Sequence, residues 1–523
     1  MARLFEYQGK RLLKEGGIPI PAGGVAATPE EARDIASRAG KPVVLKIQVW
    51  VTGRKELGGI QFADSPREAE EKARLLLGMR VKNFVVDRIL VEERLKIKAE
   101  YFAGVVLDDA EKRPVLIFSP AGGTGIEELA RLHPEKIFKL PVNVLKGVRE
   151  YEARNFLMRA GIGGSALVKM ADVLARLCRV ARQSDARSAE INPLILTEDE
   201  GIFAADCHLV IDDYAVFRHP EMGIDVAREF DRPPSELERI AYRVEEKDYR
   251  GTFYFFQMAE GNLRDSAYIG FHGAGGGGSM MSMDAVLNRG FKLANYCDTS
   301  GNPPASKVYR AARIILSQPG IRGYFASGSG VASQEQYHSA RGLVKAFREE
   351  NLAVPAVLRL GGNFEEKAIE ILHRYLKDLP ARVEGYGRND EPEFCAARLE
   401  ELMAGNTGGF HQPGPVRDPV FPVNCYAFAT LTGELAIDHA KCPACRSKGC
   451  VEACTQRILK LDDGLPVLAI SAEDARRGKC TECLACEIFC KYHELDAIMI
   501  HLPIPGLKEY RDRISREEAP EKK

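Results

Sequence analysis

No apolar run in the 523-residue chain approaches the roughly 18 residues needed to cross a bilayer, so no transmembrane helix is expected. The opening stretch MARLFEYQGKRLLKEGG carries charge throughout and lacks an apolar signal-peptide core. A cytoplasmic protein is the resulting expectation. Neither sign of charge is in excess. Lys plus Arg number 73 against 74 Asp plus Glu, a formal net charge of -1. That balance gives no reason to expect nucleic acid or an anionic membrane as partner. There is no short-period repeat. The composition, 45% hydrophobic and 28% charged, excludes wholesale disorder. At roughly 150 residues per domain, the length points to three or four domains.

Cysteine is sparse everywhere but one place. Of 13 cysteines, eight fall between Cys442 and Cys490. Cys178, Cys207, Cys297, Cys395 and Cys425 are isolated and read as plain thiols. A large chain with no secretion signal sits in a reducing compartment, which argues against a disulfide framework and for metal. The first run is Cys442-Pro-Ala-Cys445, then Cys450 and Cys454; the second is Cys480-Thr-Glu-Cys483-Leu-Ala-Cys486-Glu-Ile-Phe-Cys490. The second has the C-x2-C-x2-C-x3-C spacing of bacterial dicluster ferredoxins, and the first departs from it by two residues. In that arrangement three thiolates of one run share a cluster with the fourth of the other. Cys442, Cys445, Cys450 and Cys490 would then hold one [4Fe-4S] cluster, and Cys454, Cys480, Cys483 and Cys486 a second. Two structural four-cysteine zinc sites are the alternative, although zinc does not require four cysteines in each run. Thr455 and Lys491 stand where a proline often follows the fourth ligand.

Around this module the chain divides by rhythm. Residues 1–225 mix helix and strand: Thr28-Pro29-Glu30-Glu31 starts a helix, and 42–49, 89–92 and 101–107 read as strands. A charged stretch over 226–250 reads as a linker. From 251 to 403, strands such as 266–270, 323–326 and 354–360 alternate with helices such as 304–316 and 334–350. That is a βαβ pattern with a parallel sheet. Gly and Pro dominate 404–423, read as a second linker. The cysteine module occupies 424–505, and 506–523 reads as a charged, solvated tail.

Phe5-Glu-Tyr-Gln, Val44-Leu-Lys46-Ile-Gln-Val, Gly53-Arg54, Ile89-Leu-Val-Glu92 and Ala189-Glu190-Ile-Asn192-Pro-Leu, in that order, resemble the β subunit of succinyl-CoA synthetase. The resemblance extends with gaps to about residue 403. It implies an ATP-grasp domain followed by a flavodoxin-like parallel α/β domain, with a small ferredoxin-like iron–sulfur domain fused behind. The fold class is then a multidomain α/β and α+β chain. The chemistry asks for these residue types on its own account: Lys46 and Arg54 supply cations for a triphosphate, and Asn192 and Asp206 supply oxygens for Mg²⁺. By resemblance Gly53 belongs to the phosphate loop, Glu92 and Glu100 sit at the base and ribose of ATP or GTP, and Glu190 orients a phosphohistidine presented by the partner. Lys55 replaces a glycine of the family's Gly-Arg-Gly and offers a further phosphate contact.

In the α/β domain, Gly270-Phe-His272-Gly273-Ala-Gly275 matches the family's Asn-Gly-Ala-Gly, and Ser327-Gly328-Ser329-Gly330 matches its Gly-Gly phosphate loop. Glycines after strands let backbone N–H groups approach an anion. His272 reads as a structural or contact residue, because the family's phosphohistidine lies on the α subunit. No CoA-binding Rossmann motif with its histidine loop occurs in the chain. An α-like partner carrying the CoA site and the phosphohistidine is therefore expected, with CoA at the interface.

The leading expectation is a β-type subunit of an NDP-forming acyl-CoA ligase, with the cluster module transferring electrons or docking a redox enzyme. The alternative is an electron-transfer subunit gated by nucleotide, its ligase-like part a scaffold. A third is an inactive subunit kept for assembly, against which the retained Lys46, Arg54, Asn192 and Asp206 argue.

Overall fold

The computed structural model describes residues 2–123, 130–259, 261, 263, 267–328, 330–406, 409–416, 420 and 425–517. The chain forms two compact units, Met1–Pro234 and Ser235–Lys523. Among the described residues no helix is long and apolar enough to cross a membrane.

Unit one contains two large antiparallel sheets and a two-stranded ribbon, Arg80–Val81 with Phe84–Val85. In the smaller sheet, the strands run Gly23–Ala26, Ile89–Glu93, Val43–Ile47, Ile60–Ala63. Helices Pro29–Ala39 and Pro66–Leu76 pack together against it. Both begin alike: the hydroxyl of Thr28 accepts from Glu31 N and that of Ser65 from Glu68 N, each followed by a proline whose missing N–H costs a helix nothing there. The larger sheet is centred on Ala186–Thr197, paired with Ile97–Asp108 on one side and Cys207–Ile211 on the other. Helix Gly164–Gln183 covers it.

Unit two is built on a sheet in the order Tyr254–Gln257, Asn295–Asp298, Tyr268–Ala274, Gly323–Gly328, Ala356–Arg359, Val383–Tyr386. All its neighbours are parallel except the first pair. Setting that edge strand aside, the chain order is 2-1-3-4-5, the flavodoxin-like winding. Ile269, Phe271, Phe325 and Val357 face one core, with Cys395 and Leu399 of helix Pro392–Gly405. The alternate residues Tyr324, Ala326, Ala356 and Leu358 face the other. Strands buried on both faces explain their unbroken apolar sequence.

The cysteine segment is not a bead on a tether. Strands Tyr426–Ala429, Glu434–Ile437 and Ile498–His501 form a small antiparallel sheet. Phe428, Leu435 and Ile500 belong to the same apolar core as Tyr324 and Leu343. Three stretches read from sequence as linkers or tail hold, at their described residues, packed structure. Within 226–250, Ser235 and Glu238 form a capping box for helix Glu236–Glu246, which buries Leu237, Ile240 and Val244. Within 404–423, the buried His411 bonds Leu316 O through Nε2 (2.9 Å) and Ile321 O through its backbone N–H (2.7 Å). In the expected tail, helix Leu507–Glu517 buries Arg511 to 1% exposure, against Glu350 Oε1 (2.7 Å), Ser317 Oγ (2.8 Å) and the carbonyls of Arg313 and Gly414.

Candidate functional site

In unit one, helix Glu6–Glu15 presents Glu6 and Lys10 one turn apart to the strand carrying Lys46. Lys46 Nζ lies 2.9 Å from Glu6 Oε1, 3.0 Å from Glu92 Oε2 and 2.6 Å from Ala205 O. Lys10 Nζ reaches Glu92 Oε2 (2.5 Å), Glu6 Oε1 (2.9 Å) and Ala205 O (2.7 Å). Arg54 spans Glu6 Oε2 (2.8 Å) and Asp206 Oδ2 (2.7 Å). Three cations thus meet three carboxylates. Burial alone would raise the pKa of Glu6, but Lys10, Lys46 and Arg54 hold it well below the ordinary value. Burial alone would lower Lys46 and Arg54; Glu6 acts on both, with Glu92 and Asp206 adding on Lys46 and Asp206 on Arg54, and both are held above their ordinary values.

Lys46, Arg54, Glu92 and Asp206 are therefore brought together. Glu92 is 2% exposed, with both oxygens on Lys10 Nζ. Gly53 takes a φ of 70° at the turn that sends Arg54 inward, while Lys55 is exposed. A second cluster adjoins the first, where Asn192 N donates to Asp206 O (3.2 Å). There Asn192 and Gly123 bond reciprocally, Gly123 N to Asn192 Oδ1 (2.7 Å) and Asn192 Nδ2 to Gly123 O (3.1 Å). Glu100 borders Gly123, and its carbonyl accepts from Gly122 N. Glu190 stands on the central strand opposite Gly104, across which its side chain lies. Glu6, Lys10 and Gly123 escaped sequence reasoning. The four-residue spacing of Glu6 and Lys10 was the available signal.

In unit two, Gly273 lies near the end of the first parallel strand, Tyr268–Ala274, and Gly275 follows it, while Gly328 ends the neighbouring strand Gly323–Gly328 and Gly330 comes after. Between these two strands the winding reverses direction, where open α/β sheets bind ligands. Gly275 has a φ of 95°, and its N–H donates to Asp298 Oδ1 (2.9 Å). Arg359 Nη1 holds Gly328 O (2.8 Å) beside Gly330. Ser329 lies outside the described residues. His272 is 4% exposed, with Nδ1 on the Tyr324 hydroxyl (2.7 Å) and Nε2 on Thr299 Oγ1 (3.1 Å). Burial pushes its pKa down to about 4, so the ring is neutral.

The cysteines fall into two neighbourhoods. Cys450, pushed up to about 12, responds first to burial and then to Cys490, Cys442 and Cys445. Cys486, raised well above its ordinary value, responds to burial and then to Cys483, Cys480 and Cys454. Cys442 and Cys480 report the same two groupings. Cys454, Cys480, Cys483 and Cys486 line one cavity, in which the buried Thr481 hydroxyl has no hydrogen-bond partner among the described residues. No group of three or more His, Cys, Asp or Glu among the described residues could hold a single metal ion.

The family model for the ATP-grasp domain matches residues 3–196, and that for the citrate-binding domain of ATP citrate lyase matches 263–391. The cysteine runs lie beyond both. The GDP-forming succinate–CoA ligase subunit beta of Thermus thermophilus is 42% identical over 369 residues, 71% of this chain and 93% of that one. The ADP-forming subunit beta of Chloroflexus aurantiacus is 37% identical over 372 residues, again 71% and 93%. The structure of ATP citrate lyase from Methanothrix soehngenii with citrate and coenzyme A, at 19% identity, superposes with a TM-score of 0.63 over 76% of this chain and 99% of that one, a likeness of fold. On the identity and coverage of these relatives, the chain belongs to the β-subunit family of the succinate–CoA ligases, acid–thiol ligases that form a nucleoside diphosphate.

Proposed function

We propose that the chain is the nucleotide-binding subunit of an acyl-CoA ligase that joins a carboxylic acid to CoA as a nucleoside triphosphate becomes the diphosphate and phosphate. The phosphoryl group would pass by way of a histidine on an α-type partner, which also carries most of the CoA site. The convergence of Lys46, Arg54 and Asp206 in one ion-pair cluster carries this reading. With three cations already matched by three carboxylates, a triphosphate meets no spare positive charge. Mg²⁺ supplies it when bound. Asp206 and Asn192 are the oxygen donors that fit it, and a carboxylate turned from Arg54 to the metal would free the guanidinium for phosphate. Positioning then does most of the catalysis. Glu190, Glu100 and Lys55 are assigned to the phosphohistidine, the nucleotide and its phosphates. The Gly273–Gly275 and Gly328–Gly330 loops are assigned to the phosphohistidine, with Arg359 fixing the second.

The match to a citrate-binding domain favours a di- or tricarboxylate over a fatty acid as substrate. Nucleotide titration tests the site: Mg²⁺–ATP or Mg²⁺–GTP should bind the wild-type chain, and Asp206→Asn should weaken it about 10–100-fold, as loss of even outer-shell metal partners does. Equal affinity would overturn the metal assignment.

For the cysteine module the reading is two [4Fe-4S] clusters. Each quartet draws on both runs, as dicluster ferredoxins require, and an orphaned hydroxyl faces one of them. A cubane spreads its thiolates over four irons, which suits quartets that do not close on one point. A nucleotide-gated redox role remains the second reading, favoured by the shared core that joins the module to the α/β domain. About eight iron per chain and no zinc is the expected metal content.

A further inference from the structure

We propose that Thr481 and Glu494 hold the two cysteine quartets at different reduction potentials, with the Cys454 quartet the higher. This rests on the iron–sulfur reading above. Hydrogen bonds to cluster sulfur and local charge set such potentials: a donor or a cation favours the added electron, and an anion opposes it.

The two surroundings differ in these respects. Thr481 lines the same cavity as Cys454, Cys480, Cys483 and Cys486, and its Oγ is buried without a partner among the described residues. Its backbone is fixed by Arg250 Nη1, which donates to the Thr481 carbonyl at 3.0 Å. A sulfur anion in that cavity is the acceptor the hydroxyl lacks. Thr455 Oγ1 stands 3.4 Å from Cys483 Sγ. Farther out, the Arg341 guanidinium lies 4.7 Å over the Tyr337 ring, with a buried Nη1 unpartnered among the described residues, and Tyr337 feels Cys483. Of the carboxylates on this side, Glu482 is paired with Arg250 (2.6 Å), while Glu487 meets Lys345 through Oε1 (2.6 Å) and burial raises its pKa, which lowers its charge there.

Around the other quartet the balance tips the opposite way. Glu494 Oε2 lies 3.2 Å from Cys445 Sγ, a contact of anion on anion once that sulfur is a thiolate. Its second oxygen leans on the Ser447 hydroxyl (2.5 Å). Ala497 N–H donates to Cys490 Sγ (3.2 Å) and Lys448 lies near Cys442. These offset the carboxylate in part, but it is the charged group in direct contact with a ligand sulfur. A single added electron therefore rests on the Cys454 quartet, the one tied to the α/β domain through Arg250. Exchange between quartets oxidises one by an electron and reduces the other, with no bond or proton moved.

The test is a stepwise reduction of the full-length, anaerobically purified protein, followed by electron paramagnetic resonance and iron analysis. Two potentials are expected. Thr481→Val should lower only the higher one and Glu494→Gln raise only the lower one. Each shift should be about tenfold in the reduction equilibrium, about 59 mV for one electron. Thr481→Ser should keep the wild-type value. Iron at full content with both potentials unmoved by the variants, or a single potential, would overturn the proposal alone. A chain without iron, or with zinc, would overturn the iron–sulfur reading and this proposal with it.

Discussion

His272 illustrates how one buried residue sets a measurable property. Its ordinary pKa of 6.5 falls to about 4 in the fold because burial disfavours the imidazolium. The unfolded chain thus takes up its proton first. Stability from this residue is complete above pH 6.5 and is lost as the pH falls toward 4, by about 1.4 kcal/mol per unit. His338 and His411 are lowered by burial in the same direction. Urea unfolding at pH 7 and pH 5 should show a smaller loss for His272→Gln than for wild type; equal losses would contradict a neutral, buried ring. The same geometry removes His272 as a phosphoacceptor, since both nitrogens are engaged by hydroxyls. Glu6 behaves as a carboxylate held ionised: its contribution is present at neutral pH and is lost as acid protonates it. Its spacing from Lys10 was the one legible sign of this role, because its other partners, at positions 46 and 54, are set by tertiary approach.

At the scale of elements, pattern was informative where local rules dominate. Helix Pro29–Ala39 starts at its capping threonine, and strands Val43–Ile47 and Ala356–Arg359 fall within the β-branched runs. Composition misled where one side chain decides. The last helix is rich in charge, as a solvated tail is, yet it is anchored by Arg511 inserting against Glu350 and Ser317. The Gly- and Pro-rich stretch before the cysteine module looks like a linker, but His411 docks it. Removing one partner of a buried pair costs about 3–5 kcal/mol. Arg511→Met should therefore lower the thermal midpoint of unit two by several degrees. An unchanged midpoint would mean that the helix contributes nothing to that core.

For the whole molecule, the cysteine module is continuous with the α/β domain. Glu482, fully buried, accepts from Arg250 Nη2 (2.6 Å), Thr430 Oγ1 (2.7 Å) and Thr432 N (2.7 Å). Burial would raise its pKa, yet Arg250 and Arg310 hold it at about 2. Glu482→Gln should lower both iron content and the unfolding midpoint of unit two; a drop in neither would contradict this joining role. The parallel βαβ alternation of the α/β domain could be read from rhythm, but its fusion with the cysteine module into one core could not, because it depends on pairs such as Arg250–Glu482, 232 residues apart.

On the function proposed above, this chain forms a CoA thioester only with an α-type partner. The most direct measurement is an anaerobic assay of the chain with and without a succinate–CoA ligase α subunit, following nucleoside diphosphate and thioester across succinate, citrate and related acids. Activity with a di- or tricarboxylate is expected when both subunits are present, none with the chain alone, and its loss in Asp206→Asn. Thioester formation by the isolated chain, or none with both subunits, would contradict that function.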